Sequence, residues 1–263
     1  MSPILLHIYG PFAIHSFGLM IVIGLILTLY LLDRDKKLQK LITSAQLSNI
    51  INICVISGII GGRIWFLTTN FSEITSWTDY FTVWNGGLSI LGAVIGIAIG
   101  LSWYISSLKL PLFAVLDRFA LYAPLLQSIS RFGCFFAGCC YGLPTNLPWG
   151  VVYTHAQSLA PLHVMMHPTQ IYSSSLLFLS FVVLYCFDTY TRTKPGQLIS
   201  LYIMLTTAER FFVEFWRGDQ AFYTECGYFR YLSIQQLLAV LLFGAALILF
   251  IFITIYKKTD ESI

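Results

Sequence analysis

The stretch Ser130-Arg-Phe-Gly-Cys-Phe-Phe-Ala-Gly-Cys-Cys-Tyr-Gly142 gathers residue types that could do chemistry: Arg131, Cys134, Cys139, Cys140 and Tyr141 among Gly133, Gly138 and Gly142. It follows an apolar run. Glycines allow left-handed turns and close approach of backbone to a ligand. An arginine at the mouth of an apolar segment is costly unless an anion meets it. The stretch therefore reads as a membrane-embedded ligand site. The competing reading is an arginine that snorkels to the interface beside a glycine-lined packing surface.

A second constellation lies in Glu209-Arg-Phe-Phe-Val-Glu-Phe-Trp-Arg217. Arg210, Glu214 and Arg217 stand at i, i+4 and i+7, on one face of a helix. Glu214 can then orient one guanidinium while the other reaches a ligand; a structural ion-pair ladder is the alternative. Gly58-Ile-Ile-Gly-Gly-Arg63 combines small contact residues with an arginine, and Trp84-Asn-Gly-Gly-Leu-Ser-Ile-Leu-Gly92 supplies Gly86, Gly87 and Ser89. Those glycines either turn amides toward a cavity or let helices pack closely. His167-Pro-Thr-Gln-Ile-Tyr172 opens a further apolar segment with His167 near a helix cap, and carries Gln170 and Tyr172.

Six cysteines give no zinc framework by spacing, because Cys134-x4-Cys139-Cys140 has no paired CxxC or HxxxH partner. No metal and no cofactor are expected. Cys54 and Cys186 sit in apolar runs and read as packing residues, and a disulfide from Cys139 or Cys140 to Cys226 stays open. There is no Ser-His-Asp set, Walker loop or HExxH motif, and no row of carboxylates through the membrane. What remains is an apolar cavity holding Arg131 and Arg210 without a strong nucleophile of its own. That suits a lipid with an anionic headgroup, and a second substrate that brings the nucleophile.

The elements that must position these residues are membrane helices. The 263 residues are 57% hydrophobic and 10% charged, against about 25% charged in soluble chains. The expectation is an all-α polytopic membrane protein of one domain, 1–263, surrounded by membrane lipid. A net charge of +3, spread along the chain, argues against nucleic acid. No basic n-region and cleavage site precede the first apolar segment, which is expected to be retained.

Seven runs approach the 20 residues that span a bilayer: 12–32, 45–67, 87–108, 112–130, 168–187, 197–216 and 231–256. Asp117 and Arg118 make the fourth the least regular. Every lysine, with Arg34 and Arg192, falls on one side of this seven-span scheme. By the positive-inside rule that side is cytoplasmic, so the N-terminus faces out and the C-terminus in. The long non-helical segments, 68–86 and 139–167, then lie outside, the second between spans four and five. Of the remaining arginines (63, 118, 131, 210, 217 and 230), all but Arg118 fall toward the outer half. Arginines without lysines on the disfavoured side point to planar, bidentate anion recognition.

The chain resembles the prolipoprotein diacylglyceryl transferase family. The blocks that carry the resemblance are His15-Ser-Phe-Gly-Leu-Met20, Gly61-Gly-Arg-Ile64, Trp84-Asn-Gly-Gly-Leu-Ser89, Arg131-Phe-Gly-Cys with Tyr141-Gly142, His167-Pro-Thr-Gln-Ile-Tyr172 and Arg210-Phe-Phe-Val-Glu-Phe-Trp-Arg217. They occur in the family's order over nearly the whole chain. The resemblance implies a bacterial cytoplasmic-membrane enzyme with seven helices and an outward N-terminus. It implies transfer of a diacylglyceryl group from phosphatidylglycerol to the lipobox cysteine of a preprolipoprotein, with release of glycerol 1-phosphate. It implies Arg131 and Arg210 as essential arginines, with Glu214 and Arg217 in the same block. Arg63, Gly86, Gly87, Ser89, Gly133, Gly138, Tyr141, Gly142, His167, Gln170 and Tyr172 fall on its substrate-binding blocks.

Four positions depart from the family pattern: Leu91 stands for a histidine, Phe17 for a tyrosine, Cys134 for an asparagine and Ser173 for a carboxylate. Phosphate-binding positions are kept and proton-handling ones altered. A relative with the same lipid donor and another acceptor, and a non-catalytic anionic-lipid binder or flippase, therefore stand as alternatives.

Overall fold

A computed structural model describes residues 4–9, 12–70, 87–219 and 232–256. Eight helices carry these residues: α1 (Ser16–Asp33), α2 (Lys36–Gln39), α3 (Ser44–Thr69), α4 (Ile90–Ser107), α5 (Leu112–Ala137), α6 (Thr169–Tyr190), α7 (Gln197–Glu214) and α8 (Ile234–Tyr256). Two antiparallel ribbons join them, β1 (Ile4–Tyr9) with β2 (Phe12–His15), and β3 (Val151–Val152) with β4 (Met165–Met166). Each of the seven apolar runs coincides with one long helix. Five of them, α1, α3, α5, α6 and α8, are long and apolar enough to cross a membrane. Their side chains are distributed as a lipid solvent requires: Ile26, Ile99, Leu241 and Ile248 face outward, while Gln170, Ser200, Glu214 and Gln236 are buried.

The structure amends three expectations. Residues 12–15 of the first run are strand β2, so the fold is mostly helical rather than wholly so. The fourth run is an unbroken helix that continues to Ala137, despite Asp117, Arg118 and Pro124. Each charge there has found a partner. Arg118 Nη1 donates to Asp188 Oδ1 at 2.9 Å in a buried pair, and Asp117 accepts from the Gly196 and Ile199 amides at 2.7 and 2.8 Å. The carboxylate thereby satisfies two of the amides that a helix N-terminus leaves open, on α7. Finally, Cys186 is exposed rather than packed. Gly86, Cys226 and Arg230 lie outside the described residues.

The chain divides into two compact units, 33–115 and 1–32 with 116–263. In the first, α3 and α4 cross with their backbones nearly touching. A Cβ on Gly61 would lie 2.4 Å from the Gly92 carbonyl oxygen, and one on Gly96 2.3 Å from that of Ser57. Small residues are what membrane helices use to approach this closely. The same unit holds Arg63, whose Nη1 donates to the Gly87 carbonyl at 2.9 Å; Gly87 adopts φ +79°. In the second unit α1 packs on α5, where a Cβ on Gly24 would meet Leu126 and Ile129. There α7 packs against both α6 and α8, and α5 is tied to α6 by hydrogen bonds between Ser128 and Ser174 and to α7 by Gln127 Nε2, which donates to the Tyr202 hydroxyl at 2.8 Å.

Candidate active site

Arg131 leaves the last two turns of α5, and the chain reverses immediately after that helix. Gly138 has φ +76° and its α-hydrogen faces Ser158, so that a Cβ would lie 2.1 Å from the serine oxygen. Cys140 also takes a left-handed conformation, φ +57°. The chain then runs between two neighbours as an irregular three-stranded seam. Gly142 bridges Arg217, the Leu143 amide donates to the Trp216 carbonyl at 2.8 Å, the Gly218 amide to that of Tyr141 at 2.9 Å, and the His167 amide to that of Leu143 at 3.0 Å. A Cβ on Gly142 would lie 2.4 Å from the His167 carbonyl oxygen, which is why glycine stands there.

The first turn of α6 completes the seam. Thr169 Oγ1 donates to the Cys140 carbonyl at 2.7 Å, and Gln170 Nε2 to the Cys139 carbonyl at 2.8 Å. These bonds bring Arg131, Cys140, Thr169, Gln170, Ser173, Glu209, Arg210, Val213 and Arg217 around one cleft. Three segments distant in sequence, 131–140, 169–173 and 209–217, thus converge on it.

Charges in the cleft are partnered unequally. Glu214 is fully buried and receives Arg210 Nη2 at 3.1 Å, Arg217 Nε at 3.8 Å and the Ser233 hydroxyl at 3.0 Å. Arg217 also holds Asp219 through two parallel bonds, at 2.9 and 2.8 Å. Glu209 is buried in the cleft wall and accepts a hydrogen bond from the Ser173 hydroxyl. Arg131 has no carboxylate within ion-pair distance among the described residues. Gln170 is 1% exposed and its Oε1 accepts no hydrogen bond there.

Other residues singled out by sequence stand at different distances from this cleft. Tyr172 accepts from Trp149 Nε1 at 2.8 Å and lies 3.3 Å from His167 Nδ1, forming an aromatic wall with Trp216. Tyr141 is held by its backbone in the seam. Phe17 packs its main chain on Gly133, where a Cβ would be 3.0 Å from the Phe17 Cα. Arg63, Gly87, Ser89 and Leu91 belong to the other unit. A larger cavity, about 220 Å³ and lined by Thr207, Phe211, Phe212, Ala239, Val240 and Phe243, runs between α7 and α8 and has no charged side chain in its lining.

The three cysteines are free thiols, and their sulfurs lie within 4.8 Å of one another. Spacing along the chain gave no zinc framework, but the reversal at Gly138 folds Cys139 and Cys140 back on Cys134. Hydrogen bonds with the Cys134 and Cys139 thiols, aided by the Arg217 and Arg131 guanidiniums, hold the Cys140 thiol well below its ordinary range. The same sharing pushes Cys139 up. The spatial signal was the glycine next to a cysteine pair, which spacing rules for metal sites do not weigh.

Residues 3–252 match the family described as prolipoprotein diacylglyceryl transferase. The chain is 35% identical over 222 residues to a phosphatidylglycerol–prolipoprotein diacylglyceryl transferase of Clostridium tetani, covering 83% of this chain and 86% of that one. It is 37% identical over 224 residues to a second such protein, of Clostridium perfringens, covering 83% and 84%. A Methylococcus capsulatus protein of the same name is 32% identical over 250 residues, covering 91% and 92%. With this match along nearly its whole length, the chain belongs to the prolipoprotein diacylglyceryl transferase family.

Proposed function

We propose that the chain transfers a diacylglyceryl group from phosphatidylglycerol to the lipobox cysteine thiol of a preprolipoprotein, releasing glycerol 1-phosphate. The observation that carries this reading is Arg131, a half-buried guanidinium with no carboxylate within ion-pair distance among the described residues; Glu209 in the same cleft acts on it only from beyond that distance. A half-buried guanidinium in that state suits an anion, and its planar fork matches a phosphate. Arg210, oriented by Glu214, supplies a second fork in the same cleft.

The chemistry follows from the substrates. The acceptor sulfur attacks the glyceryl carbon that carries the phosphodiester oxygen; a C–S bond forms, the C–O bond breaks, and the electron pair leaves with glycerol phosphate. Negative charge grows on the phosphate as the bond breaks, so guanidiniums aimed there stabilise the transition state more than the ground state. The unpartnered Gln170 Oε1 suits a hydroxyl of the glycerol headgroup. The apolar groove between α7 and α8 suits lipid hydrocarbon. The cleft itself has room for about one water, roughly 10 Å³. Donor entry therefore requires its side chains to move, Arg210 first among them because it is the most exposed of the pairs around Glu214.

The reading includes seven spans in one transferase domain, with the N-terminus outside the bacterial cytoplasmic membrane. Lysine placement supports that orientation, and it puts the seam around 138–168 on the side where a preprolipoprotein would present its cysteine. Leu91 supplies no imidazole to take the thiol proton, which leaves His167, Tyr141 or outside water on the side-chain inventory.

The test is release of glycerol phosphate from phosphatidylglycerol vesicles by purified protein. Release that depends on a lipobox peptide supports the transferase. A lipid binder or flippase releases none with or without peptide. Release supported by another thiol or a hydroxyl compound, but not by the lipobox peptide, overturns the acceptor assignment.

A further inference from the structure

Three sulfurs converge where a single thiolate would be expected at most. Cys134 is buried on α5, and Cys139 and Cys140 return to it through the left-handed residues Gly138 and Cys140. A cysteine with φ +57° is energetically unfavourable, because its Cβ crowds the following carbonyl, and such outliers persist where the surroundings over-determine them. Here Gln170 and Thr169 clamp the successive carbonyls of Cys139 and Cys140, one on each side of the Cys140 residue. The backbone is thus fixed in the conformation that gathers the sulfurs.

Cation–thiolate bonds of about 2.3 Å in tetrahedral geometry set sulfurs about 3.8 Å apart. The observed separations, all within 4.8 Å, need to close by about 1 Å or less. Rotamer adjustment on a fixed backbone covers that distance. The ligand set is three soft thiolates, which select zinc-class and cuprous ions over magnesium or calcium. Among the described residues no fourth histidine, cysteine or carboxylate belongs to the cluster, and three protein ligands with an open position are the arrangement of catalytic rather than structural zinc. The open side has a direction: Cys140 lines the same cleft as Arg131 and Arg217, whose positive charge offsets that of clustered thiolates.

We propose that Cys134, Cys139 and Cys140 form a three-thiolate site for a divalent cation of the zinc class, whose fourth position opens on the arginine cleft and takes the acceptor thiol. The second half rests on the transferase reading above; the first does not. When the acceptor thiol enters the fourth position its proton passes to water, because a coordinating thiol is deprotonated. The bound sulfur then gives its electron pair to the glyceryl carbon, the C–O bond breaks, and glycerol phosphate leaves with that bond's electrons. The thioether product is a poorer ligand than a thiolate and dissociates. A cation here would perform the deprotonation that Leu91 cannot.

The experiment uses the full chain in lipid nanodiscs, reduced and loaded with Zn2+ or Co2+. One equivalent of tightly held zinc per chain, and intense sulfur-to-cobalt charge-transfer absorption in the Co2+ form, are expected. Cys134→Ser and Cys139→Ser each lower metal retention at least tenfold, with unchanged helical circular dichroism showing that they fold; Cys54→Ser and Cys186→Ser retain it. A reduced wild-type chain that holds no zinc and gives no cobalt absorption overturns the site, as does metal retention unaltered by both cluster variants. A stable disulfide within the cluster that reforms in the presence of zinc overturns it too, in favour of a redox pair. Adding a lipobox peptide to the Co2+ form should shift the absorption, and its cysteine-to-serine analogue should not. Glycerol phosphate release with an unshifted spectrum overturns thiol ligation but leaves the transferase reading standing. A shifted spectrum with no release by the Zn2+ form overturns the transferase reading and leaves the metal site standing.

Discussion

Glu214→Gln is the substitution whose consequence the structure defines best. The carboxylate has no exposed surface, and it sits between Arg210 at 3.1 Å and Arg217 at 3.8 Å with the Ser233 hydroxyl on its other oxygen. The amide is the same size and its oxygen can still accept from Ser233, but it removes the charge and turns an NH2 donor toward the two guanidiniums. Two guanidiniums are then left adjacent in a half-buried cleft. Breaking a fully buried pair in this way costs about 3–5 kcal/mol. Arg210 keeps 27% of its side-chain surface in contact with solvent and Arg217 has Asp219 as a second partner, so screening reduces the figure to about 2–3 kcal/mol.

That loss can appear in two places, and the assay separates them. If Glu214 holds Arg210 on the leaving phosphate, kcat/KM for glycerol phosphate release falls about 30- to 150-fold, with the folded fraction unchanged. Glu214→Asp, which keeps the charge but withdraws it by one methylene, then recovers part of the rate. Release is measured from phosphatidylglycerol vesicles, beside a thermal unfolding curve followed by circular dichroism. A variant that unfolds earlier while its folded fraction turns over at the wild-type rate refutes the positioning role. A variant normal in both respects refutes the energetic argument itself.

Arg131→Lys and Arg210→Lys keep the charge and lose the planar fork; each should lower release at least tenfold, and normal turnover in both would remove the phosphate role. Gly138→Ala should destabilise the second unit by more than the roughly 1–2 kcal/mol of a left-handed alanine, since Ser158 also obstructs the Cβ; Ser158→Ala in the same chain should recover only the steric part, read by thermal unfolding. Asp117→Ala removes acceptors from the Gly196 and Ile199 amides and should cost about 1–2 kcal/mol of stability without changing the KM for lipid. Cysteines introduced at the exposed Gln157 and Lys37 should label from outside and from inside respectively; the reverse pattern would invert the proposed topology.

Helix positions were legible because bilayer thickness constrains apolar length so tightly: each of the seven runs holds one long helix, with ends within a few residues except for α5, which runs seven residues past its predicted end. The arginine pattern was legible for the same reason, since a membrane tolerates few charges. Arg210 and Glu214 pair as their i, i+4 spacing requires. What spacing could not reveal was contact between distant segments. Asp117 reads locally as a helix-breaking charge, and only the fold delivers the α7 amides to it. Glu209 reads as one more carboxylate in a charged block, until α6 places Ser173 against it. The cysteines have ordinary one-dimensional spacing for nothing in particular, and became a cluster through two left-handed residues whose φ values no composition rule supplies.

The four departures from the family pattern become intelligible once the cleft is seen to be assembled mainly by backbone. The seam through Cys139–Leu143, His167 and Trp216–Gly218 is made of main-chain hydrogen bonds, locked by Thr169 and Gln170 to carbonyls rather than to side chains. Its geometry survives a change of side chain at Cys134 or Ser173. Phe17 and Leu91 are 41% and 48% exposed, on helix surfaces where an apolar group faces a bilayer at no cost. By contrast Gly138, Gly142 and Gly218, where an added Cβ would strike Ser158 or the backbone of the seam, cannot vary without moving it. On the proposed reading, such a scaffold holds the place of the phosphate and leaves the means of activating the acceptor open to change. With Leu91 where the family pattern has a histidine, and three sulfurs gathered near Arg131, the chain would on that reading have changed the second element while keeping the first.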